Sequence, residues 1–244
     1  MKTAFILVTV VMSFLFSNCS AENPVVKKTD IQPSSQKSIQ YLALGDSYTI
    51  GESVCETCKF PEQLKQQLKQ QLKNTHPNAN YSLKVIARTG WTTANLIDAI
   101  SEEKPTSDYD LVSLLIGVNN QYQGIAFRVY EKEFPELVSK SIAFAKGQKA
   151  RVIVVSIPDY AFTPFGQSSG KAETITIEID KYNAFAKKYC EENEIAFINI
   201  TDITRNGLND SKLVASDGLH PSKEAYALFM ERLLPKVNTI LGAE

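Results

Sequence analysis

From Ile39 onward the chain alternates short, β-rich apolar runs with longer stretches of helical period. Five runs have strand character: Ile39–Leu44 (IQYLAL), Tyr81–Ala87, Asp110–Ile116 (DLVSLLI), Arg151–Ile157 (RVIVVSI) and Ile195–Ile200 (IAFINI). Helical patterns lie between and after them, at Pro61–Lys73, Thr92–Glu103, Tyr130–Lys146, Ile177–Asn193 and Ser222–Leu241. In the first, Leu64, Leu68 and Leu72 recur on one face and Pro61 suits the opening turn. Its QLKQQLKQQLK pattern is three helical turns, with no solenoid repeat behind it. In the fourth, Tyr182, Phe185, Ala186, Tyr189 and Cys190 share a face. Strands apolar on both sides predict a parallel sheet covered by helices on both faces. Five such units favour an open, doubly wound α/β sheet over an eight-fold barrel. In that architecture ligands sit outside the carboxyl ends of the strands. The loops after Leu44, Ala87, Ile116 and Ile157, and the one before the last helix, are therefore where chemistry is expected.

The segment ahead of this body reads differently. Lys2 precedes an apolar run, Ala4–Phe16, followed by small and polar residues, the order of an export signal over residues 1–21. The run is about 13 residues, short of the ~20 that a membrane-spanning helix needs. Two processing routes compete: lipidation at Cys19, with Phe16-Ser17-Asn18 as an imperfect lipobox, or plain cleavage after Cys19-Ser20-Ala21. Both place the protein outside the cytosol, in a bacterial cell envelope or secreted, and only a lipid at Cys19 would tie it to a membrane. Residues 22–38 are polar, carry two prolines and lack any apolar period, so a flexible linker is expected before a folded domain at 39–244.

Charge and composition narrow the classes. With 26 basic and 27 acidic side chains among 244 residues, the formal net charge is −1, so no basic footprint for nucleic acid exists. A 43% hydrophobic content supplies a core. Four cysteines are too few for a disulfide scaffold, and none has structural zinc spacing with histidine.

The strand-end loops carry the candidate chemistry. After the first strand comes Gly45-Asp46-Ser47-Tyr48-Thr49, where Ser47 can present a hydroxyl at the sheet edge or simply cap a helix. After the second, Arg88-Thr89-Gly90-Trp91-Thr92-Thr93 contains Gly90, which can aim a bare N–H at a ligand or merely turn the chain. After the third, Gly117-Val118-Asn119-Asn120-Gln121 offers the Asn119 amide. The chain has two histidines. His76, in a polar connection, reads as a solvated loop residue. His220 follows Asp217 in Ser216-Asp217-Gly218-Leu219-His220, close enough on a turn for the carboxylate to accept the imidazole Nδ1–H and leave Nε2 as a base.

Taken together, Gly45-Asp46-Ser47, Gly90, Gly117-x-Asn119 and Asp217-x-x-His220 stand in an order that resembles the SGNH (GDSL-type) serine hydrolases, from about Tyr41 to the final helix. The resemblance implies a three-layer α/β/α, flavodoxin-like fold with a five-stranded parallel sheet. It also implies an esterase in which Ser47 attacks, His220 shuttles the proton and Asp217 orients it, without metal or organic cofactor. The oxyanion would be held by Ser47 N–H, Gly90 N–H and the Asn119 amide. Tyr48 stands where the family commonly has Leu, and Asn120 where it commonly has Asp. Carboxylic esters with short acyl or acetyl groups, free or on carbohydrate, are the expected substrates. A lysophospholipase or thioesterase of the same fold, or an idle surface-anchored binding protein, are the alternatives.

Cys55-Glu56-Thr57-Cys58 follows the Ser47 loop. It lacks the second pair of a metal site, and an exported protein permits a short disulfide bracing the rim. Cys190, on an apolar helix face, is expected to be a buried thiol. The aromatic loops after the third and fourth strands, with Tyr48 and Trp91, supply a candidate substrate wall of Tyr48, Trp91, Tyr122, Tyr160 and Phe162.

Overall fold

The computed structural model describes residues 38–73 and 77–242. The export segment, Cys19, the linker before Ser38 and His76 lie outside the described residues. Five strands, β1 (Ser38–Gly45), β2 (Asn80–Ala87), β3 (Leu111–Leu115), β4 (Val152–Val155) and β5 (Ala196–Ile198), form one sheet in the order β2-β1-β3-β4-β5. All pairings are parallel. This is the flavodoxin-like order, and the direction of winding reverses at β1 and β3.

The helices are α1 (Ser47–Ile50), α2 (Phe60–Gln71), α3 (Thr93–Glu103), α4 (Val118–Tyr122), α5 (Phe127–Phe144), α6 (Pro164–Ser168), α7 (Ala172–Glu192), α8 (Thr201–Thr204) and α9 (Lys223–Leu241). One covering layer pairs α2 with α9, where Leu64 and Leu68 are buried and the Phe60 and Tyr226 rings meet at 6.3 Å. The other runs through α3, α5 and α7. Its α5–α7 seam is aromatic, with Tyr130 and Tyr182 ring centroids 4.6 Å apart and Phe127 and Tyr182 4.9 Å apart. Such ring pairs add roughly 0.5–1.5 kcal/mol each beyond the area they bury. Between the layers, Leu42, Leu44, Leu111, Val112, Leu114, Val152 and Ile153 are buried, as a parallel sheet covered on both faces requires.

The elements depart from the periodicity at their ends. Ser38, assigned to the linker, already pairs with Asn80. The last two strands are shorter than their apolar runs, because Lys149–Arg151 turns in a 3-10 helix and Ile200 leads into α8. Thr92 and Ser222 are N-caps, not first helical residues, accepting from Asn95 N–H and Ala225 N–H. Helices α5 and α7 begin earlier than the pattern indicated, at Phe127 and Ala172.

Register is what places the site. Gly45 lies opposite both Ala87 and Leu115, so β1, β2 and β3 end at one level. The loops bearing Ser47, Gly90 and Asn119 therefore leave the sheet side by side.

Candidate active site

Ser47 opens α1 directly after β1. A side chain at Gly45 would put its Cβ 2.1 Å from Thr49 Oγ1 and 2.4 Å from the Leu115 carbonyl, so only glycine lets α1 fold back onto the strand end. Asp46 caps the turn, its Oδ1 accepting the Tyr48 N–H at 3.0 Å. Burial pushes the Asp46 carboxyl up to about 8, against the lowering effect of that backbone bond. At neutral pH the cap is therefore mostly a neutral acid.

The Asp217–His220 pair is built by one carboxylate. Asp217 Oδ1 accepts the N–H groups of Leu219 and His220 at 2.9 and 3.0 Å, which wraps the loop into a turn. Oδ2 meets His220 Nδ1 at 2.6 Å. Partial burial works against the Asp217 charge, but the Ser53 hydroxyl, the imidazole and the two backbone N–H groups overcome it and hold the carboxyl well below the ordinary range. An ionised Asp217 can only accept, so Nδ1 carries the proton and Nε2 is left as the basic nitrogen. Ser53 had no signal in the sequence. Its hydroxyl donates to Asp217 Oδ2 at 2.6 Å across 164 residues of chain, from a left-handed backbone at φ +64°.

Helix α4 and its C-terminal end hold the segment that runs from the loop after β2 into α3 at three points. Asn119 Nδ2 donates to the Trp91 carbonyl at 3.0 Å, which commits one amide hydrogen and leaves the second to point elsewhere. Asn120, fully buried, accepts the Thr93 N–H at 2.9 Å and donates to Thr93 Oγ1 at 2.7 Å. Gln123, one residue beyond α4, donates to the Gly90 carbonyl at 2.9 Å. Gly90 itself has φ +81°, and a Cβ there would meet nothing within 4 Å.

Ser47, Gly90, Asn119 and His220 line one cavity of about 280 Å³. Asp217 is bonded to His220 and is not part of the lining. The aromatic side of the cavity is Tyr48, Tyr122, Tyr160 and Phe165. Tyr48 is buried, its ring edge-on to His220 at 5.8 Å. Trp91 and Phe162, expected in this wall, do not line it. Trp91 packs against the core and contributes its carbonyl, and the Arg205 guanidinium lies over Phe162 at 5.9 Å. Phe165, from the same aromatic loop after the fourth strand, takes a place there, set by the Thr163 cap and Pro164 of α6.

Cys55 and Cys58 form a disulfide next to the loop that carries Ser53. Cys190 is a buried free thiol, which burial pushes up to about 12. Among the described residues, no group of three or more His, Cys, Asp or Glu side chains could hold a metal ion. No helix among them is long and apolar enough to cross a membrane.

A parallel sheet with a serine and a carboxylate-paired histidine on one cavity at its carboxyl edge fits, together with the family match that follows, a hydrolase of carboxylic esters. The chain belongs to the GDSL-like lipase/acylhydrolase family, whose model matches residues 43–228. Among solved structures it is similar to a lipolytic G-D-S-L family protein of Veillonella parvula, at 18% identity and TM-score 0.59, over 81% of this chain and 97% of that one. It is also similar to an acetylxylan esterase of Geobacillus stearothermophilus (18%, TM-score 0.58, 83% and 95%). A third is a psychrotrophic esterase of a Pseudoalteromonas species (18%, TM-score 0.55, 83% and 98%). At these identities the likeness is one of fold. No curated protein matches the chain.

Proposed function

We propose that this ester hydrolase works through Ser47, His220 and Asp217. His220 Nε2 takes the Ser47 hydroxyl proton as Oγ attacks the ester carbonyl. The tetrahedral oxyanion is held by the N–H groups of Ser47 and Gly90 and by the Asn119 amide hydrogen not engaged by Trp91. One such donor contributes about 3 kcal/mol in other hydrolases. Collapse releases the alcohol, which takes the proton from the imidazolium and leaves an acyl-Ser47 ester. Water, deprotonated by His220, then cleaves that ester to the acid and returns Ser47. Asp217 stabilises the imidazolium and Ser53 positions Asp217. The observation that carries this reading is the Asp217–His220 bond of 2.6 Å, with His220 on the same cavity as Ser47, Gly90 and Asn119.

Short acyl esters, acetyl among them, are the substrates we favour. The cavity at Ser47 is small, about 280 Å³, and is bounded by Tyr122, Tyr160 and Phe165. The acetylxylan esterase among the similar structures is consistent with this choice. Work outside the cytosol, tethered through Cys19, is part of the same proposal and rests on the N-terminal pattern. Radiolabelled palmitate incorporation that is lost in Cys19→Ala would support it, and equal incorporation would refute it.

The central test is a 4-nitrophenyl ester series from acetyl to palmitoyl with Ser47→Ala alongside. Turnover should peak at acetyl to butyryl and fall at least a thousandfold in the variant, whose thermal midpoint stays within a few degrees. A fluorophosphonate should label wild type and not Ser47→Ala. Activity retained by the variant would remove Ser47 as nucleophile. A maximum at long chains or thioesters would favour a lysophospholipase or thioesterase.

A further inference from the structure

The aromatic side of the Ser47 cavity is also one wall of a second cavity. Tyr122, Tyr160 and Phe165 are shared, and beyond them lies a space of about 410 Å³. Its other lining mixes the polar side chains of Gln121, Ser169, Lys171, Thr174 and Glu178 with Gly124 and Ile175. A hydrogen-bond relay arranges these groups. The Tyr160 hydroxyl donates to Gln121 Oε1 at 2.9 Å, and Gln121 Nε2 donates to Glu178 Oε2 at 2.7 Å. Tyr160 is buried, so one end of the relay is anchored in the protein. Tyr122 and Phe165, by contrast, are 56% and 38% exposed, with centroids 6.2 Å apart.

Resting on the reading of Ser47 as nucleophile, we propose that this second cavity is a binding site for the alcohol half of the ester, and that the alcohol is a sugar. Two exposed rings beside an oriented amide, a carboxylate and an ammonium match a pyranose, whose C–H faces lie on aromatic carbon while its hydroxyls both donate and accept. A fatty chain would strip water from the Lys171 ammonium and the Glu178 carboxylate and offer nothing polar in its place. A quaternary ammonium headgroup needs aromatic faces on several sides, and with Tyr160 buried only two rings are open here. Lys171 and Glu178 have opposite charge, which suits a neutral polyol.

The test compares kcat/KM on three acetates: 4-nitrophenyl acetate, cyclohexyl acetate and an O-acetylated xylo-oligosaccharide. Wild type should prefer the oligosaccharide ester to cyclohexyl acetate at least tenfold. That preference should fall at least fivefold in Glu178→Ala, which removes the far end of the relay, and further in Tyr122→Ala. Calorimetric titration of Ser47→Ala with xylotetraose supplies a second readout, with binding expected and lost when Glu178→Ala is added. Failure of wild type on 4-nitrophenyl acetate would sink the Ser47 mechanism and leave the titration to judge the sugar site. Good turnover of 4-nitrophenyl acetate with equal treatment of the two alcohols, and no xylotetraose binding, would overturn the sugar site alone. A preference for lysophosphatidylcholine over the sugar ester would also overturn it.

Discussion

Four donors converge on the Asp217 carboxylate, and three of them come from its own turn or from His220. The fourth, Ser53, comes from the loop after Ser47, so the nucleophile segment and the histidine segment are tied together by one hydroxyl at 2.6 Å. A hydrogen bond to a charged group is worth about 1.5–3 kcal/mol, and one decade of rate is about 1.4 kcal/mol. Ser53→Gly and Ser53→Ala should each lower kcat about tenfold with little change in KM. They should differ in stability, because a left-handed φ of +64° strains alanine and not glycine. Stripping this donor also makes Asp217 a stronger partner for the imidazolium, so the acid limb of kcat/KM moves to higher pH in both. If Ser53→Gly keeps full kcat and an unmoved limb, Ser53 does not position Asp217.

At the scale of elements, the five long helices and five strands were legible because each has enough residues to show its period. The short ones were not: α1, α4, α6 and α8 span four or five residues, too few for any apolar recurrence. Yet α1 and α4 present Ser47 and Asn119, which were found by residue type at strand ends, not by periodicity. Ser53 stayed hidden because its partner is distant in sequence, and Trp91 and Phe162 were misplaced because an aromatic loop residue faces core or cleft according to backbone direction. The α4 segment also shows what its length conceals, since Asn119 and the following Gln123 bond to the Trp91 and Gly90 carbonyls and Asn120 to Thr93 at the start of α3. Asn120→Ala leaves the buried Thr93 N–H and hydroxyl without that partner, which should cost about 1–3 kcal/mol. Urea unfolding should show that loss, and kcat/KM on 4-nitrophenyl acetate should drop with it as the Gly90 loop slackens. Unchanged stability together with unchanged activity would mean that α4 does not hold the loop.

For the whole molecule, two carboxyls of the site couple folding to pH in opposite directions. Asp217 is held low, so its stabilising contribution is present above the ordinary carboxyl range and is lost as pH falls through its folded value. Asp46 is raised from 3.8 to about 8, so between those values the folded state binds a proton that the unfolded chain releases. Stability then falls as pH rises across that window, and the loss is complete above about 8. Asp46→Asn keeps an oxygen for the Tyr48 N–H and cannot ionise. The variant and wild type should therefore have similar unfolding free energies near pH 4, and the variant should gain steadily to pH 8, by an amount of order a few kcal/mol at 1.36 kcal/mol per unit. The gap should stay constant at higher pH. Urea denaturation of both proteins from pH 4 to 9 measures it directly. A difference that does not change with pH would mean that Asp46 is charged in the folded protein, and that the turn presenting Ser47 is capped by an anion.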